Sequence, residues 1–187
     1  MRAIFCAAVL IAPLVLGCGG CASSRAIDIE HTDDPRNPQL AAELTHRGAA
    51  LIADEPAEVA EFFRRALEAD LYYGPAHNNL GIVYLNAGKL YEAAEEFDWA
   101  RRLMPGHPDP RINLGLALER GGKIDEALDA YASAIEVYPN HLPSMQALAR
   151  LQLRSDRADD TTESMHREIR QRGDAHWHAW ANKQLSR

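Results

Sequence analysis

The chain has 187 residues and a formal net charge of −7, with 47% hydrophobic and 25% charged residues. This composition suits one globular domain, and the negative charge argues against partners such as nucleic acid or an anionic membrane surface, since both repel an acidic protein. The three cysteines are Cys6, Cys18 and Cys21, so the sequence after them offers neither a disulfide framework nor a thiolate metal site.

The first predicted element is a signal peptide over residues 1–17. After the basic Arg2, residues 3–17 form a nearly unbroken apolar run. This run is shorter than the roughly 20 residues that a membrane-spanning helix needs. It ends in Val15-Leu16-Gly17-Cys18, which resembles the bacterial lipobox, where a peptidase cuts before a lipid-modified cysteine. We therefore expect an acyl anchor such as palmitate on Cys18, with Cys21, after Gly19-Gly20, as the alternative.

The residues after Cys18 predict where in the cell the protein is located. Neither an Asp nor a positive charge follows the cysteine directly. The resemblance to bacterial lipoproteins then implies a protein of the cell envelope, lipid-anchored at the periplasmic face of the outer membrane. Residues 18–38 are small, polar and punctuated by proline, and are predicted to form a lipidated tether with a reach of about 25 Å. Residues 39–187 are predicted to form the folded domain.

A set of residues recurs within that domain at one constant interval. Leu80, Gly81, Tyr84, Gly88, Ala93, Phe97, Ala100 and Pro105 return as Leu114, Gly115, Leu118, Gly122, Ala127, Tyr131, Ala134 and Pro139. In the first copy, apolar residues spaced by three and four predict amphipathic helices over 75–87 and 90–104, joined by a turn at Asn86-Ala87-Gly88. Pro105 ends the second helix. A period of about 34 residues is typical of stacked helix–turn–helix units.

These residues resemble the tetratricopeptide repeat family over residues 74–107 and 108–141. Residues 41–73 form a degenerate copy, with Gly48, Phe63 and Ala66 at family positions and a loop near Glu55-Pro56 that is one residue short. The resemblance implies an all-α fold, a right-handed α–α superhelix (a tetratricopeptide repeat solenoid) with a C-terminal capping helix.

A partial repeat and cap are predicted over residues 142–187. The pattern indicates a helix over 142–154 and a second one that begins after Asp159 or Asp160 and stops near Gly173. Asp174 is predicted to cap a last helix that carries Trp177, Trp180 and Leu185. An atypical terminal unit of this kind seals an array.

The resemblance also implies where a protein or peptide partner binds. In the family, the first helix of each unit lines a concave groove. The positions that face it here include Asn78, Asn79, Ile82, Leu85 and Asn86, then Ile112, Asn113, Leu116, Glu119 and Arg120. Asn79 and Asn113 hold the same place in successive repeats, and a row of amides, each both donor and acceptor, suits the backbone of an extended peptide. The alternative is that these asparagines merely solvate the groove.

Some members of the family grip a partner's C-terminal carboxylate with a set of cationic and amide residues. The matching cationic positions fall here on Asp109 and Asn113 in one register, or on Pro143 and Ala147 in the other, so that clamp is absent. Arg150 and Arg154, one helical turn apart, are a separate candidate for meeting an acidic partner.

We find no motif for catalysis, for a cofactor or for a metal. The sequence contains no phosphate-binding glycine loop, nucleophile elbow or His-Glu-x-x-His motif. His176 and His178 would point to different faces of a helix. Glu95 and Glu96 are expected on the polar outer face of a helix.

The expected function is therefore a non-enzymatic interaction or assembly scaffold that captures a partner segment in its groove, in envelope secretion or pilus assembly. Two alternatives stay open. One is a structural adaptor that binds through its convex face or dimerises through the Trp177/Trp180 helix; the other is a regulatory subunit of an envelope enzyme that acts on peptidoglycan.

Overall fold

The computed structural model describes residues 36–51 and 56–185. Within these ranges the chain is helical and contains no strand. The helices are α1 (Pro38–Ala50), α2 (Pro56–Ala69), α3 (Gly74–Asn86), α4 (Leu90–Leu103), α5 (Asp109–Arg120), α6 (Ile124–Val137), α7 (Leu142–Arg154), α8 (Asp160–Arg172) and α9 (Ala175–Leu185). None of them is both long and apolar enough to cross a membrane. The predicted signal peptide, Cys18, Cys21 and most of the predicted tether lie outside the described residues.

The helix boundaries expected from periodicity are confirmed within one residue for α3 and α4, and α7 spans the predicted 142–154. The side chain of Asn37 caps α1 by accepting a hydrogen bond from Leu40 N at 2.9 Å. The backbone N–H of Asn37 donates to Ala69 O at 2.7 Å and so ties the start of α1 to the end of α2. The packed helix thus begins at Pro38, inside the last residues assigned to the tether.

The three later units, which begin with α3, α5 and α7, each turn from the first to the second helix through one residue with a left-handed backbone. Gly88 (φ 75°) and Gly122 (φ 77°) hold this position in the two well-matched repeats, and Asp156 (φ 57°) holds it one repeat length further on. The residue that follows donates back into the first helix in each case, as Arg157 N does to Gln152 O at 2.8 Å. The repeat period therefore extends through α7.

The period changes after that turn. One repeat length counted from Ile124 would start the next helix at Ala158, whereas α8 starts at Asp160. Asp159 caps α8 by accepting from Thr162 N at 2.9 Å, and Asp159 N donates to Thr162 Oγ1 at 2.9 Å. Of the two capping residues left open by the sequence, the structure selects Asp159, and this later start of α8 explains why the pattern fades there.

Packing within the first three units rests on a glycine of the first helix facing an aromatic ring of the second. A Cβ atom on the glycine would lie 2.8 Å from the ring for Gly48 and Phe63, 2.6 Å for Gly81 and Phe97, and 2.5 Å for Gly115 and Tyr131. In the first unit, one residue fewer separates the glycine from the aromatic residue than in the other two units. This agrees with one missing residue before α2. This packing confirms that the absence of bulk at these positions allows the paired helices to approach.

The C-terminal helices close the array around one apolar cluster. Leu151, Ile169 and Ala181 are fully buried there, and Trp177 and Trp180 pack against it. Asp174 caps α9 by accepting from Trp177 N at 3.0 Å, as predicted. The tryptophans of the last helix therefore contribute to the core of this chain.

One buried polar contact lies between α3 and α4. His77 is 4% exposed, with Nδ1 2.7 Å from Glu96 Oε2 and Nε2 2.9 Å from Leu71 O, and its ring stacks on Trp99. Glu95 is exposed as expected, but the expectation for Glu96 is only partly correct, because its carboxylate turns to the buried imidazole. Sequence reasoning missed this pair because the residues lie 19 positions apart, in two different helices.

Candidate functional site

Four polar contacts cross between the first helices of neighbouring units, α3, α5 and α7, without passing through the second helices. We call the surface formed by these side chains the first-helix face; its polar members are Asn78, Asn113, Glu119, Arg120, Arg150 and Arg154. The groove residues predicted from the sequence lie on α3 and α5, and the separate candidates Arg150 and Arg154 lie on α7.

The first contact joins the two amides of the face. Asn113 Nδ2 donates to Asn78 Oδ1 at 3.0 Å, and both residues are half-buried. The amides at equivalent positions, Asn79 and Asn113, do not pair with each other. Neither the N–H groups of Asn78 nor the Oδ1 of Asn113 has another partner among the described residues. One pair thus presents unused donors and an unused acceptor side by side.

Among the predicted apolar residues of the face, Ile82, Ile112 and Leu116 are half-buried, whereas Leu85 is 5% exposed and belongs to the core instead of the predicted groove. Ile82 and Leu116 pack against the cluster that contains Leu85 and Phe97, whereas Ile112 packs against the C-terminal cluster. These half-buried side chains therefore pack against the core and are also partly exposed on the first-helix face.

Asn86 lies apart from this group. It is exposed and lines a cleft of about 140 Å³ with Pro56, Val59, Val83 and Ala87. The structure therefore brings Asn78 and Asn113 together and places Asn86 near α2 instead.

The other three contacts involve charged side chains. Arg120 Nη1 donates to the Leu85 backbone oxygen at 3.4 Å. The Glu119 carboxylate, whose side chain is 6% exposed, lies 2.7 Å from Arg154 Nη2 at Oε1 and 3.3 Å from Arg150 Nη2 at Oε2. The two arginines proposed from the sequence to meet an acidic partner are thus each paired within the chain.

Tyr131 completes this cluster. Its hydroxyl donates to Glu119 Oε2 at 2.8 Å, and burial together with this hydrogen bond raises the pKa of Tyr131 well above its ordinary value. The preceding unit has Phe97 in place of Tyr131 and buried Leu85 in place of Glu119, with both in one apolar cluster. Carboxylate and hydroxyl therefore appear together in one unit and are absent together from the other. This paired exchange is the sequence signal that would have revealed the contact.

Among the described residues, no group of three or more His, Cys, Asp or Glu side chains is arranged to hold a metal ion. His176 and His178 are both exposed on α9.

Residues 112–141 match the family model for the tetratricopeptide repeat. The chain has the tetratricopeptide repeat fold. The first such domain of Spaghetti (RPAP3), bound to the HSP90 peptide SRMEEVD, has a TM-score of 0.62 at 19% identity and covers 66% of this chain and 98% of its own. MamA (residues 41 to the end) from Desulfovibrio magneticus RS-1 has a TM-score of 0.62 at 19% identity, with coverage of 72% and 78%. The Sgt2 domain from Aspergillus fumigatus gives 0.60 at 22% identity, with coverage of 67% and 89%.

No curated protein matches the chain. The likeness to solved tetratricopeptide repeat structures, at these identities, shows the fold alone. Of those neighbours, RPAP3 is seen with a peptide on its repeats. In this chain, the two registers of the family's carboxylate clamp hold an exposed acid and an amide (Asp109, Asn113), or a proline and an alanine (Pro143, Ala147). The cations of the first-helix face stand elsewhere, at Arg120, Arg150 and Arg154.

Proposed function

We propose that the chain is a protein–protein interaction scaffold that holds an extended partner segment along its first-helix face. The observation that carries this proposal is the hydrogen-bonded pair Asn78–Asn113, which leaves amide donors and an amide acceptor unused side by side. A peptide backbone offers the complementary donor and acceptor at every residue, so the pair can bind it without reading a sequence. Ile82 and Leu116, half-buried beside the amides, supply apolar contact for the side chains of the segment.

The proposed setting is a bacterial cell envelope. There, a lipid on Cys18 would anchor the chain at the periplasmic face of the outer membrane, and the partner would belong to a secretion or pilus assembly system. A regulatory role toward a peptidoglycan enzyme would use the same face and differ only in the partner. This setting rests on the sequence before residue 36, and the fold is compatible with many roles.

A structural adaptor that binds through its outer surface is a second candidate. Tyr91 on α4 is 73% exposed and Trp99 is 45% exposed, and aromatic residues are enriched at protein interfaces. Dimerisation through α9 has less support, because Trp177 and Trp180 pack into the core of the chain itself.

Cross-linked co-purification of the full-length chain from its own cells, followed by mass spectrometry, tests the proposal. The test variant is Asn78→Ala/Asn113→Ala. The matched control, Gln171→Ala/Asn182→Ala, removes two exposed amides from α8 and α9. We expect a partner that is recovered with the wild type and the control and lost with the test variant. Equal recovery from all three would contradict binding at the first-helix face and direct attention to Tyr91 and Trp99.

A further inference from the structure

The first-helix face concentrates positive charge in an acidic protein. The chain carries −7 in total, yet Arg120 lies on α5, and Arg150 and Arg154 lie on the next first helix, α7, where both contact Glu119. Three cations and one carboxylate leave a local excess of two positive charges. Such an excess attracts an anionic ligand to this part of the surface.

Glu119 orients the two arginines of α7 without using up their hydrogen-bonding capacity. A guanidinium has five N–H donors in a fixed plane, and Arg150 and Arg154 each give one contact to the carboxylate, at 3.3 and 2.7 Å. Arg150 Nε is buried, so this one N–H is closed to a ligand. The two side chains are 43% and 58% exposed, against 6% for Glu119. Most of the N–H groups are therefore available to a ligand.

The anchoring carboxylate is itself fixed from a third direction. Tyr131 donates to Glu119 Oε2 from α6, so Glu119 is held by groups on both its own unit and the next. Holding the guanidinium groups in place before binding reduces the side-chain entropy lost on association. This arrangement differs from a surface ion pair, in which both partners are free to move.

We propose that Arg150 and Arg154, oriented by Glu119 and assisted by Arg120, bind carboxylate groups of an acidic partner segment. The segment would carry aspartate or glutamate next to apolar residues, which would contact Ile112 and Leu116 on the same face. This inference rests on the proposed function, because it names the chemistry of the segment that the face holds. Planar guanidinium groups pair with carboxylates through two parallel hydrogen bonds, which gives geometric selectivity as well as charge.

The chain contains a matched cluster on its outer surface. Arg101 and Arg102 share one carboxylate, Asp98, within helix α4, as i,i+3 and i,i+4 pairs. Asp98 is 29% exposed, and all three residues lie on one helix. Arg101→Gln/Arg102→Gln thus makes the same change in charge as Arg150→Gln/Arg154→Gln, away from the first-helix face.

Selection of a random dodecapeptide phage library on the purified full-length chain tests the inference. We expect wild-type selection to enrich peptides with acidic residues beside apolar ones. Enrichment of acidic residues should disappear with Arg150→Gln/Arg154→Gln and persist with Arg101→Gln/Arg102→Gln. Thermal melts by circular dichroism establish that each variant is folded. Arg150→Lys/Arg154→Lys keeps the charges that balance Glu119, and it should bind more weakly because it loses the planar fork.

Binding measurements on single selected peptides then show how much the acidic side chains contribute to affinity. Changing their glutamates to glutamine should weaken binding about tenfold or more to the wild type, and far less to Arg150→Gln/Arg154→Gln. Peptides with amidated and free C-termini distinguish acidic side chains from a terminal carboxylate as the source of the anion. Peptides selected without acidic enrichment, or with enrichment that survives Arg150→Gln/Arg154→Gln, would overturn this inference and leave the proposed function standing. Failure to select any peptide that depends on Asn78 and Asn113 would overturn both.

Discussion

Gly115 of α5 lies against the ring of Tyr131 in α6, so closely that a Cβ atom on Gly115 would come within 2.5 Å of Tyr131 Cε1. Tyr131 is 1% exposed and makes its hydroxyl contact with Glu119, so it has little freedom to move aside. The same relationship joins Gly81 to Phe97, which is fully buried. The close approach of the two helices in these units therefore depends on a missing side chain.

Substitution of Gly81 or Gly115 by alanine should destabilise the domain. Overpacking costs typically about 1–3 kcal/mol, and the higher helix propensity of alanine returns about 1 kcal/mol. We expect a net loss of about 1–2 kcal/mol, or a melting temperature lower by about 3–8 °C. Gly81→Leu should be worse still, because it adds more bulk against Phe97.

Gly106→Ala is the control for both variants. A Cβ at Gly106 would meet nothing within 4 Å, and its backbone needs no left-handed conformation. Its melting temperature should stay the same or rise slightly. An unchanged melting temperature for Gly115→Ala would mean that the helices separate without cost, against the packing described above.

Leu85 and Phe97 of one unit are replaced by Glu119 and Tyr131 at the equivalent positions of the next unit. This paired difference predicts that Glu119 and Tyr131 are energetically coupled. Glu119→Leu alone should cost about 1–3 kcal/mol, because it leaves the buried Tyr131 hydroxyl without a partner. Adding Tyr131→Phe removes that hydroxyl and recreates the pair found in the preceding unit. The double variant should therefore be more stable than Glu119→Leu, by about 1 kcal/mol in a double-mutant cycle of denaturant unfolding. Losses that simply add would show that the two residues act independently.

The sequence predicts the elements of this fold better than the contacts of its site. Positions such as Gly81 and Phe97 are recognisable because helix packing repeats with the period of the chain. The cluster around Glu119 cannot be recognised in this way. It joins residues from three different helices, and its carboxylate and hydroxyl occur together in one unit only. The sequence predicts that Arg150 and Arg154 lie on the first helix of the fourth unit. Only the packing of the helices in the structure shows that the Glu119 carboxylate holds them.

The amides of the site illustrate the same limit. Equivalent positions suggested a row formed by Asn79 and Asn113, but the hydrogen bond runs from Asn113 to Asn78. Successive units are offset along the array, so residues at equal positions need not be nearest neighbours. Periodicity assigns a residue to a helix, and side-chain geometry then selects its partner.

Removal of the Glu96 carboxylate should destabilise the contact between α3 and α4. Glu96→Ala leaves Nδ1 of buried His77 without its partner, and we expect a loss of about 1–2 kcal/mol together with a change in Trp99 fluorescence. Glu95→Ala is the matched control, since Glu95 is exposed one residue earlier. Equal effects of the two substitutions on the free energy of unfolding would rule out a structural role for the His77–Glu96 contact.

Membrane attachment is predicted to depend on Cys18. Cys18→Ser should move the full-length chain from the membrane fraction to the soluble fraction, because one acylated residue supplies the proposed anchor. Fractionation and immunoblotting of wild type, Cys18→Ser and Cys21→Ser measure this directly. Retention of Cys18→Ser with release of Cys21→Ser would assign the lipid to Cys21 instead.

Stability should fall in mild acid because of His166 in α8. His166 is 5% exposed against Trp180 of α9, and burial lowers its pKa, with a smaller opposing effect of Glu163. As the pH falls, His166 therefore binds a proton more readily in the unfolded chain than in the folded one, starting at about pH 6.5. Stability should be greatest above that pH and decrease below it, toward the folded-state pKa, by at most about 1.4 kcal/mol per pH unit. His166→Phe keeps a ring against Trp180 and removes the titration, so thermal melts at about pH 7.5 and 5.5 should differ less for this variant than for the wild type. An equal difference would assign the acid sensitivity to other groups.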